Sequence, residues 1–98
     1  MELNSRQRAQ LRSMANTLQP IFQIGKSGIG TEMIEQLSLA LEARELIKIT
    51  VLETAPLSAR EAADALKVPL RAEIVQCIGR KLVLYRKNHE NPRIELCK

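Results

Sequence analysis

Apolar residues along this chain of 98 residues follow two alternating spacings, and the alternation limits the folds that the chain can adopt. Segments with the three- and four-residue spacing of a helix face alternate with short segments, rich in β-branched residues, that are typical of strands. The predicted order is helix, strand, helix, strand, helix, strand, strand. The helices begin near Ser5, Thr31 and Ser58, and the strands cover 21–24, 46–52, 74–78 and 82–86. Ser5 is the expected cap of the first helix, and Ser58 and Glu61 have the spacing of a capping box for the third, which is expected to end near Lys67 because of Pro69. The last two strands are joined by a tight turn at 79–81, and a tail over 90–98 has room for a short strand at 94–96.

These elements predict a single α/β domain over residues 1–98, in which a four-stranded mixed sheet packs against helices. Hydrophobic residues make up 45% of the chain and charged residues 27%, a balance that argues against a disordered protein. A domain of this size buries only about 60–65% of the surface of its unfolded chain. We therefore expect one core and one modest functional site.

The sequence predicts a cytoplasmic protein with no membrane partner. It contains no run of about 18 apolar residues that could span a bilayer, and its polar, basic N-terminus lacks the apolar segment of a secretory signal. Its two cysteines, Cys77 and Cys97, do not form a disulfide framework and fit a reducing compartment.

Positive charge is concentrated in two blocks of the sequence. The formal net charge is +4, but residues 3–31 contain three arginines, one lysine and no acidic residue. Residues 74–89 contain two arginines, two lysines and no acidic residue, whereas 32–73 contain eight acidic and five basic residues. Two acid-free basic blocks predict a polyanionic partner.

A glycine-bounded turn joins the first strand to the second helix, with the sequence Gly25, Lys26, Ser27, Gly28. Glycines at both ends allow a sharp turn and let a sugar-phosphate chain approach without a Cβ in the way. Lys26 adds a positive charge, Ser27 adds a hydroxyl donor, and the helix that follows offers free N–H groups to an anion. This arrangement is that of the GxxG loop with which K-homology domains clamp single-stranded nucleic acid.

Catalytic chemistry has little support in the sequence. Gly25 to Ser27 resemble the end of a phosphate-binding P-loop, but that motif needs a glycine where this chain has Pro20. The sole histidine, His89, lies in a polar stretch, and no general base is placed next to Ser27 or Cys77. We predict no catalytic residue, metal ligand, cofactor or small-molecule substrate, and we do not expect an enzyme.

Further cationic residues are predicted to extend the GxxG loop into one continuous surface patch: Arg8, Arg12, Arg80, Lys81 and Arg86. The only aromatic residues are Phe22, in an apolar strand, and Tyr85, which ends a strand and is either core or half-exposed. Two aromatic residues are too few for a base-stacking platform. Binding is therefore expected to depend on backbone phosphates and shape.

Three segments of the chain together resemble the CRM (YhbY-like) domain family. They are Ile-Gly-Lys-Ser-Gly at 24–28, Glu-Leu-Ile-Lys-Ile at 45–49, and Ile-Gly-Arg-Lys-Leu-Val-Leu-Tyr-Arg at 78–86. The resemblance implies a KH-like fold related to the C-terminal domain of translation initiation factor three. It also implies a non-catalytic RNA-binding protein that associates with ribosomal RNA in precursors of the large ribosomal subunit. The RNA-contact loop of the family corresponds to Gly25, Lys26, Ser27 and Gly28.

Two alternatives remain open at the level of sequence. Residues 58–66 resemble the first helix of a helix-turn-helix, so the chain could be a winged-helix DNA-binding regulator. A winged-helix fold requires a helix over 73–77, whereas a CRM-like fold predicts a strand there. Pro69 and the β-branched residues Ile74 and Val75 favour the strand. The other alternative is a small protein–protein adaptor that binds no nucleic acid.

Overall fold

The computed structural model describes residues 3–98 of the chain. The elements found there are the helices Ser5–Ala15 (α1), Thr31–Arg44 (α2) and Ala59–Leu70 (α3), and the strands Phe22–Ile24 (β1), Leu46–Val51 (β2), Glu73–Ile78 (β3) and Lys81–Tyr85 (β4). The predicted α-β-α-β-α-β-β order and the mixed α/β class are confirmed. Because Glu73–Ile78 is a strand, the winged-helix alternative lacks the helix that it requires. The division into one domain with a tail from residue 90 stays a prediction.

The four strands form one mixed sheet in the order β1-β2-β4-β3. Strand β1 runs parallel to β2, whereas β4 is antiparallel to both β2 and β3. Parallel pairing brings the carboxyl ends of β1 and β2 to the same end of the sheet, and antiparallel pairing brings the β3–β4 turn there too. Two hydrogen bonds hold this end together: the Val51 N–H donates to the Arg80 carbonyl at 2.7 Å, and the Leu52 N–H donates to the Ile24 carbonyl at 2.8 Å.

Both faces of the sheet bury apolar side chains, so the molecule has three layers. Helices α2 and α3 pack on one face, where Ile47, Ile49 and Leu84 belong to the larger hydrophobic core. Helix α1 packs on the other face over a smaller cluster that includes Leu46, Val83 and Tyr85. Residues that alternate along β2 and β4 thus face different helices, as the strand period of two requires.

Capping residues fix where the helices begin. Ser58 and Glu61 form the predicted capping box at the start of α3, with hydrogen bonds of 2.9 and 3.1 Å. At α1 the expected cap, Ser5, is wrong by one residue. Asn4 is the N-cap, and it forms a reciprocal pair of hydrogen bonds with Gln7.

Helix α3 continues three residues beyond its predicted end near Lys67 and includes Pro69. A proline in the last turn removes one backbone hydrogen bond without disrupting the turns before it. Leu70 anchors this turn because its side chain is fully buried in the core. Arg71 then ends the helix in the left-handed conformation, with φ +53°.

Glu45, at the junction between α2 and β2, forms hydrogen bonds that hold the segment after β4 in place. Its backbone lies in the left-handed region at φ +64°, and its side chain is fully buried. The carboxylate accepts hydrogen bonds from the backbone N–H groups of Asn88 at 2.7 Å, Arg93 at 2.6 Å and Ile94 at 2.7 Å. Burial raises the pKa of this carboxyl group, but these hydrogen bonds and the charge of Arg93 lower it by more, so the pKa of Glu45 lies below its ordinary value of 4.5.

The C-terminal tail lies against α1 without forming a strand, so the short strand considered at 94–96 is absent from the described chain. Gln7 donates a side-chain hydrogen bond to the Cys97 carbonyl, and Gln10 bonds both the Glu95 carbonyl and the Cys97 N–H. Ile94 and Leu96 pack against the smaller hydrophobic cluster. The tail therefore completes the α1 side of the molecule.

We predict that Glu45→Gln lowers the free energy of unfolding by about 2–3 kcal/mol at neutral pH, because a neutral amide cannot accept all three hydrogen bonds. The stabilisation by the ionised carboxylate is present above pH 4.5, the ordinary pKa of the group, and is lost as the pH falls through the lower pKa of the folded state. Urea unfolding at about pH 7 and about pH 3 measures this dependence, and the two proteins are expected to converge in acid. A stability difference that does not change with pH would contradict this role.

Candidate nucleic-acid interface

The GxxG segment forms a tight turn at the end of β1. The Gly28 N–H donates to the Gly25 carbonyl at 2.9 Å, which closes the turn and leaves Lys26 and Ser27 exposed at its tip. Both polar side chains can therefore reach a ligand without any rearrangement of the backbone.

The two glycines of this turn have different structural roles. Gly28 has φ +69°, and a Cβ on it would lie 3.2 Å from Cγ of Pro56 in the β2–α3 loop. Gly25 lacks this left-handed backbone, and a Cβ there would meet Leu52 at an ordinary 3.6 Å. The turn therefore requires glycine at position 28 for its shape, whereas at position 25 a side chain fits.

Helix α2 begins shortly after the turn and has no side-chain cap. Its N-cap is Gly30, which makes no side-chain hydrogen bond to the first turn. The first N–H groups of an α-helix have no partner within the helix, and they attract anions. Glu32 is the acidic residue in this first turn, and its carboxylate opposes part of that attraction.

Arg80 and Lys81 lie at the same end of the sheet as the GxxG turn. Arg80 follows Gly79 in the two-residue turn between β3 and β4, and Lys81 pairs with Thr50 near the carboxyl end of β2. Strand β2 separates β1 from β4, so the ends of these two strands are about 10 Å apart, or two strand spacings. The sheet thus brings Lys26 from the first basic block and Arg80 and Lys81 from the second to the same end.

A carboxylate also lies at this end, and the sequence analysis missed it. Glu53 Oε1 is 3.0 Å from Nη2 of Arg80, and the two side chains are 81% and 56% exposed. Exposed ion pairs of this kind contribute little stability. A phosphate can therefore replace Glu53 as the partner of Arg80. Finding Glu53 from the sequence would have required the strand order.

The other predicted basic residues do not join this group as a single patch. Arg86 lies beyond the opposite end of β4, where it is half-buried. Its guanidinium donates to Oγ and to the carbonyl oxygen of Ser38 at 3.1 and 2.7 Å, and to the Leu70 carbonyl at 3.0 Å. These bonds join α2, α3 and the segment after β4, so Arg86 is engaged inside the fold.

Helix α1 carries the remaining two predicted residues, which differ in their contacts. Arg8 donates to the Ile74 carbonyl on the edge strand β3, next to the irregular register between Ile74 and Gln76. Arg12 lies one helical turn further along α1 and is exposed. The contribution of Arg8, Arg12 and Arg86 to ligand binding stays a prediction.

Neither aromatic residue is placed for base stacking. Tyr85 is 1% exposed beneath α1, and its hydroxyl has no hydrogen-bond partner within residues 3–98. Burial, together with the nearby charge of Glu45, raises the pKa of Tyr85 above its ordinary value. Phe22 is half-buried against the larger core. The groups that this end of the sheet offers to an anion are therefore cations, a hydroxyl and backbone N–H groups.

Residues 3–98 contain neither a candidate metal-binding cluster nor a helix that could cross a membrane. No group of three or more histidine, cysteine or acidic residues comes together there in a way that could hold a metal ion. Within the same range, none of the helices has the length and apolar character needed to cross a bilayer.

Comparison with known proteins identifies the family of the chain. The family model for the CRS1 / YhbY (CRM) domain matches residues 3–86. The chain belongs to this family. This CRM-domain protein is 47% identical over 94 residues to "Probable RNA-binding protein YqeI" from Bacillus subtilis, an alignment that covers 96% of this chain and 98% of the relative. It is 31% identical over 88 residues to an "RNA-binding protein" of Haemophilus influenzae, covering 90% and 89% of the two chains.

A solved structure supports the same assignment. The solution structure of SAV1595 from Staphylococcus aureus superposes with a TM-score of 0.80 at 46% sequence identity. The match covers 98% of this CRM-domain chain and 100% of the other. The three-layer arrangement described above is therefore that of a relative whose structure has been determined by experiment.

The geometry of the turn predicts unequal effects of alanine at its two glycines. Gly28→Ala is expected to lower the free energy of unfolding by about 1–2 kcal/mol, because alanine is strained at positive φ. Gly25→Ala is the matched control, and its expected effect is under about 1 kcal/mol. Chemical denaturation of both variants provides the measurement, and equal losses would contradict the distinction.

Proposed function

We propose that this protein is a non-catalytic, cytoplasmic RNA-binding protein that binds ribosomal RNA in precursors of the large ribosomal subunit. RNA binding is supported above all by the position of Lys26 and Ser27, which are exposed at the same end of the sheet as Arg80 and Lys81. The names of two relatives, which contain the words RNA-binding protein, support the same partner.

The proposed binding mechanism combines a loop clamp with charge neutralisation. The tight turn from Gly25 to Gly28 lets a sugar-phosphate backbone approach Lys26, the Ser27 hydroxyl and the uncapped N-terminus of α2. Arg80 and Lys81 neutralise further phosphates about 10 Å away, across two strand spacings. Counterions released from the RNA supply most of the affinity.

The character of this surface supports a binding role without catalysis. The groups there that can hold phosphates are ammonium and guanidinium ions, a hydroxyl and backbone N–H groups, and the Glu53 carboxylate is paired with Arg80. The sole histidine, His89, lies in the segment after Arg86, beyond the opposite end of β4. The proposal therefore assigns no reaction to this site.

Ribosomal RNA is proposed as the partner because of the family resemblance of the GxxG segment and of residues 45–49 and 78–86. Recognition through phosphates and shape suits a large, structured RNA, since it requires little base readout. The outer surface of α2, which carries the exposed Glu35 and Glu42, disfavours RNA on that side of the molecule.

The mechanism predicts a steep dependence of RNA affinity on salt. If about four to six phosphates are neutralised, log affinity falls against log salt with a slope of roughly −3 to −5. Lys26→Ala should weaken binding and reduce the slope by about one unit. Lys67→Ala, on the exposed surface of α3, is the matched control that removes the same charge elsewhere. Filter binding to ribosomal RNA at several salt concentrations measures both, and equal slopes for the two variants would contradict the loop clamp.

Crosslinking in growing cells tests the identity of the partner. RNA crosslinked to the protein is expected to be ribosomal RNA of the large subunit, enriched in unprocessed precursor sequences. The Lys26→Ala variant should recover less of this RNA. RNA that both proteins recover equally is background. Recovery dominated by messenger or transfer RNA would contradict the ribosomal assignment and leave general RNA binding intact.

A further inference from the structure

The strand register aligns four side chains in one lateral row across the entire sheet. Gln23 pairs with Thr50, Thr50 pairs with Lys81, and Lys81 pairs with Ile78. Paired residues point to the same face, and the face is that of α1, because Leu46 and Val83, on the same face as Thr50 and Lys81, belong to the cluster under α1. We call these four residues the open row; at about 4.8 Å per strand it is about 14 Å long.

Helix α1 covers the far end of this face and leaves the open row uncovered. Leu46 and Tyr85, which pair at the far end, are 5% and 1% exposed beneath α1. In the open row Ile78 is 65% exposed, Gln23 and Lys81 are also exposed, and Thr50 is half-buried. Burial on one face of the sheet therefore decreases toward the end that carries the GxxG turn.

The chemistry of the open row suits a polynucleotide. It offers an amide, a hydroxyl and an ammonium group, which can hydrogen-bond to phosphate oxygens and ribose hydroxyls. It contains no acidic side chain, and Ile78 adds an aliphatic surface against which a sugar or base can pack. Ile78 lies at the edge-strand end of the row, and a ligand that covers its exposed side chain gains free energy by removing apolar surface from water.

The open row is also continuous with the interface proposed above. Gln23 lies two residues before Gly25, and Lys81 directly follows Arg80. A strand held at the Lys26 tip reaches the row by passing over the end of β1, where no helix intervenes on this face, since α1 covers the opposite end.

We propose that the open row is a second RNA-binding subsite, on which a single-stranded segment leaving the GxxG loop crosses the four strands. This inference rests on the proposed RNA-binding function and extends it from the end of the sheet onto one face. By comparison with other four-stranded sheets that bind RNA, the row holds about two or three nucleotides. Its polar groups contact phosphate and ribose, so the row binds these nucleotides with little preference among bases.

Ile78→Ser provides the sharpest test, because it removes no charge. The affinity of this variant for an unstructured RNA of about twelve nucleotides should fall about threefold to tenfold. The slope of log affinity against log salt should not change, because the variant loses no charge and therefore no counterion release. The matched control is Leu39→Ser on α2, where the side chain is 72% exposed on the other side of the molecule. Leu39→Ser should bind as the wild type does.

A second pair of variants tests the row through charge. Gln23→Glu places a carboxylate in the open row and should weaken binding of the same RNA about fivefold through repulsion of phosphate. Gln36→Glu makes the same change on the exposed surface of α2 and should have a smaller effect. An oligonucleotide of about four nucleotides, which fills only the loop, should bind all four variants with nearly wild-type affinity.

The outcomes separate this inference from the proposed function. If wild-type protein binds neither RNA, the proposed function itself fails. If Lys26→Ala weakens binding while Ile78→Ser and Gln23→Glu match their controls, RNA binds at the loop alone and the subsite is wrong. If Ile78→Ser changes a dimer into a monomer in sedimentation, the row is a self-association surface and the subsite is again wrong.

Discussion

The position of every candidate RNA contact depends on how β2 pairs with its two neighbours. Parallel pairing with β1 and antiparallel pairing with β4 bring the GxxG turn and the β3–β4 turn to the same end of the sheet. A slip of one residue would turn each β2 side chain to the other face. Leu46 is buried under α1, whereas Ile47 and Ile49 are buried under α2 and α3. Such a slip would therefore turn the polar side chains of Lys48 and Thr50 into the larger core. The two hydrophobic cores thus fix the register, and the register fixes the site.

Local patterns predicted the elements well, because their causes lie within a few residues. The Ser58–Glu61 capping box and the Gly79 turn are examples, since each depends on neighbours in sequence. Features that depend on distant contacts were not predictable. Pro69 stays inside α3 because Leu70 is buried in the core, and the burial of Glu45 becomes understandable only once the tail provides three N–H groups.

The candidate site was predicted in part for the same reason. The GxxG segment carries its own signal in glycine spacing and in Lys26. Arg86 has the same charge but lies at the other end of β4, where Ser38 and Leu70 provide its acceptors. The sequence alone therefore does not show whether a basic residue is exposed for a ligand or, like Arg86, forms hydrogen bonds that join two helices. The open row could not be found from sequence either, because its members meet only through the strand order β1-β2-β4-β3.

The two sides of the molecule have different proposed roles: RNA binds at the GxxG end and the adjoining sheet face, whereas the outer surface of α2, with Glu35 and Glu42, faces away from it. An NMR titration of the full chain with an unstructured RNA tests this most directly. We expect shift changes at residues 25–31 and 79–81 and at the amides of Gln23, Thr50 and Ile78, with α3 unaffected. Changes concentrated on the outer surfaces of α2 and α3 would contradict the proposed interface.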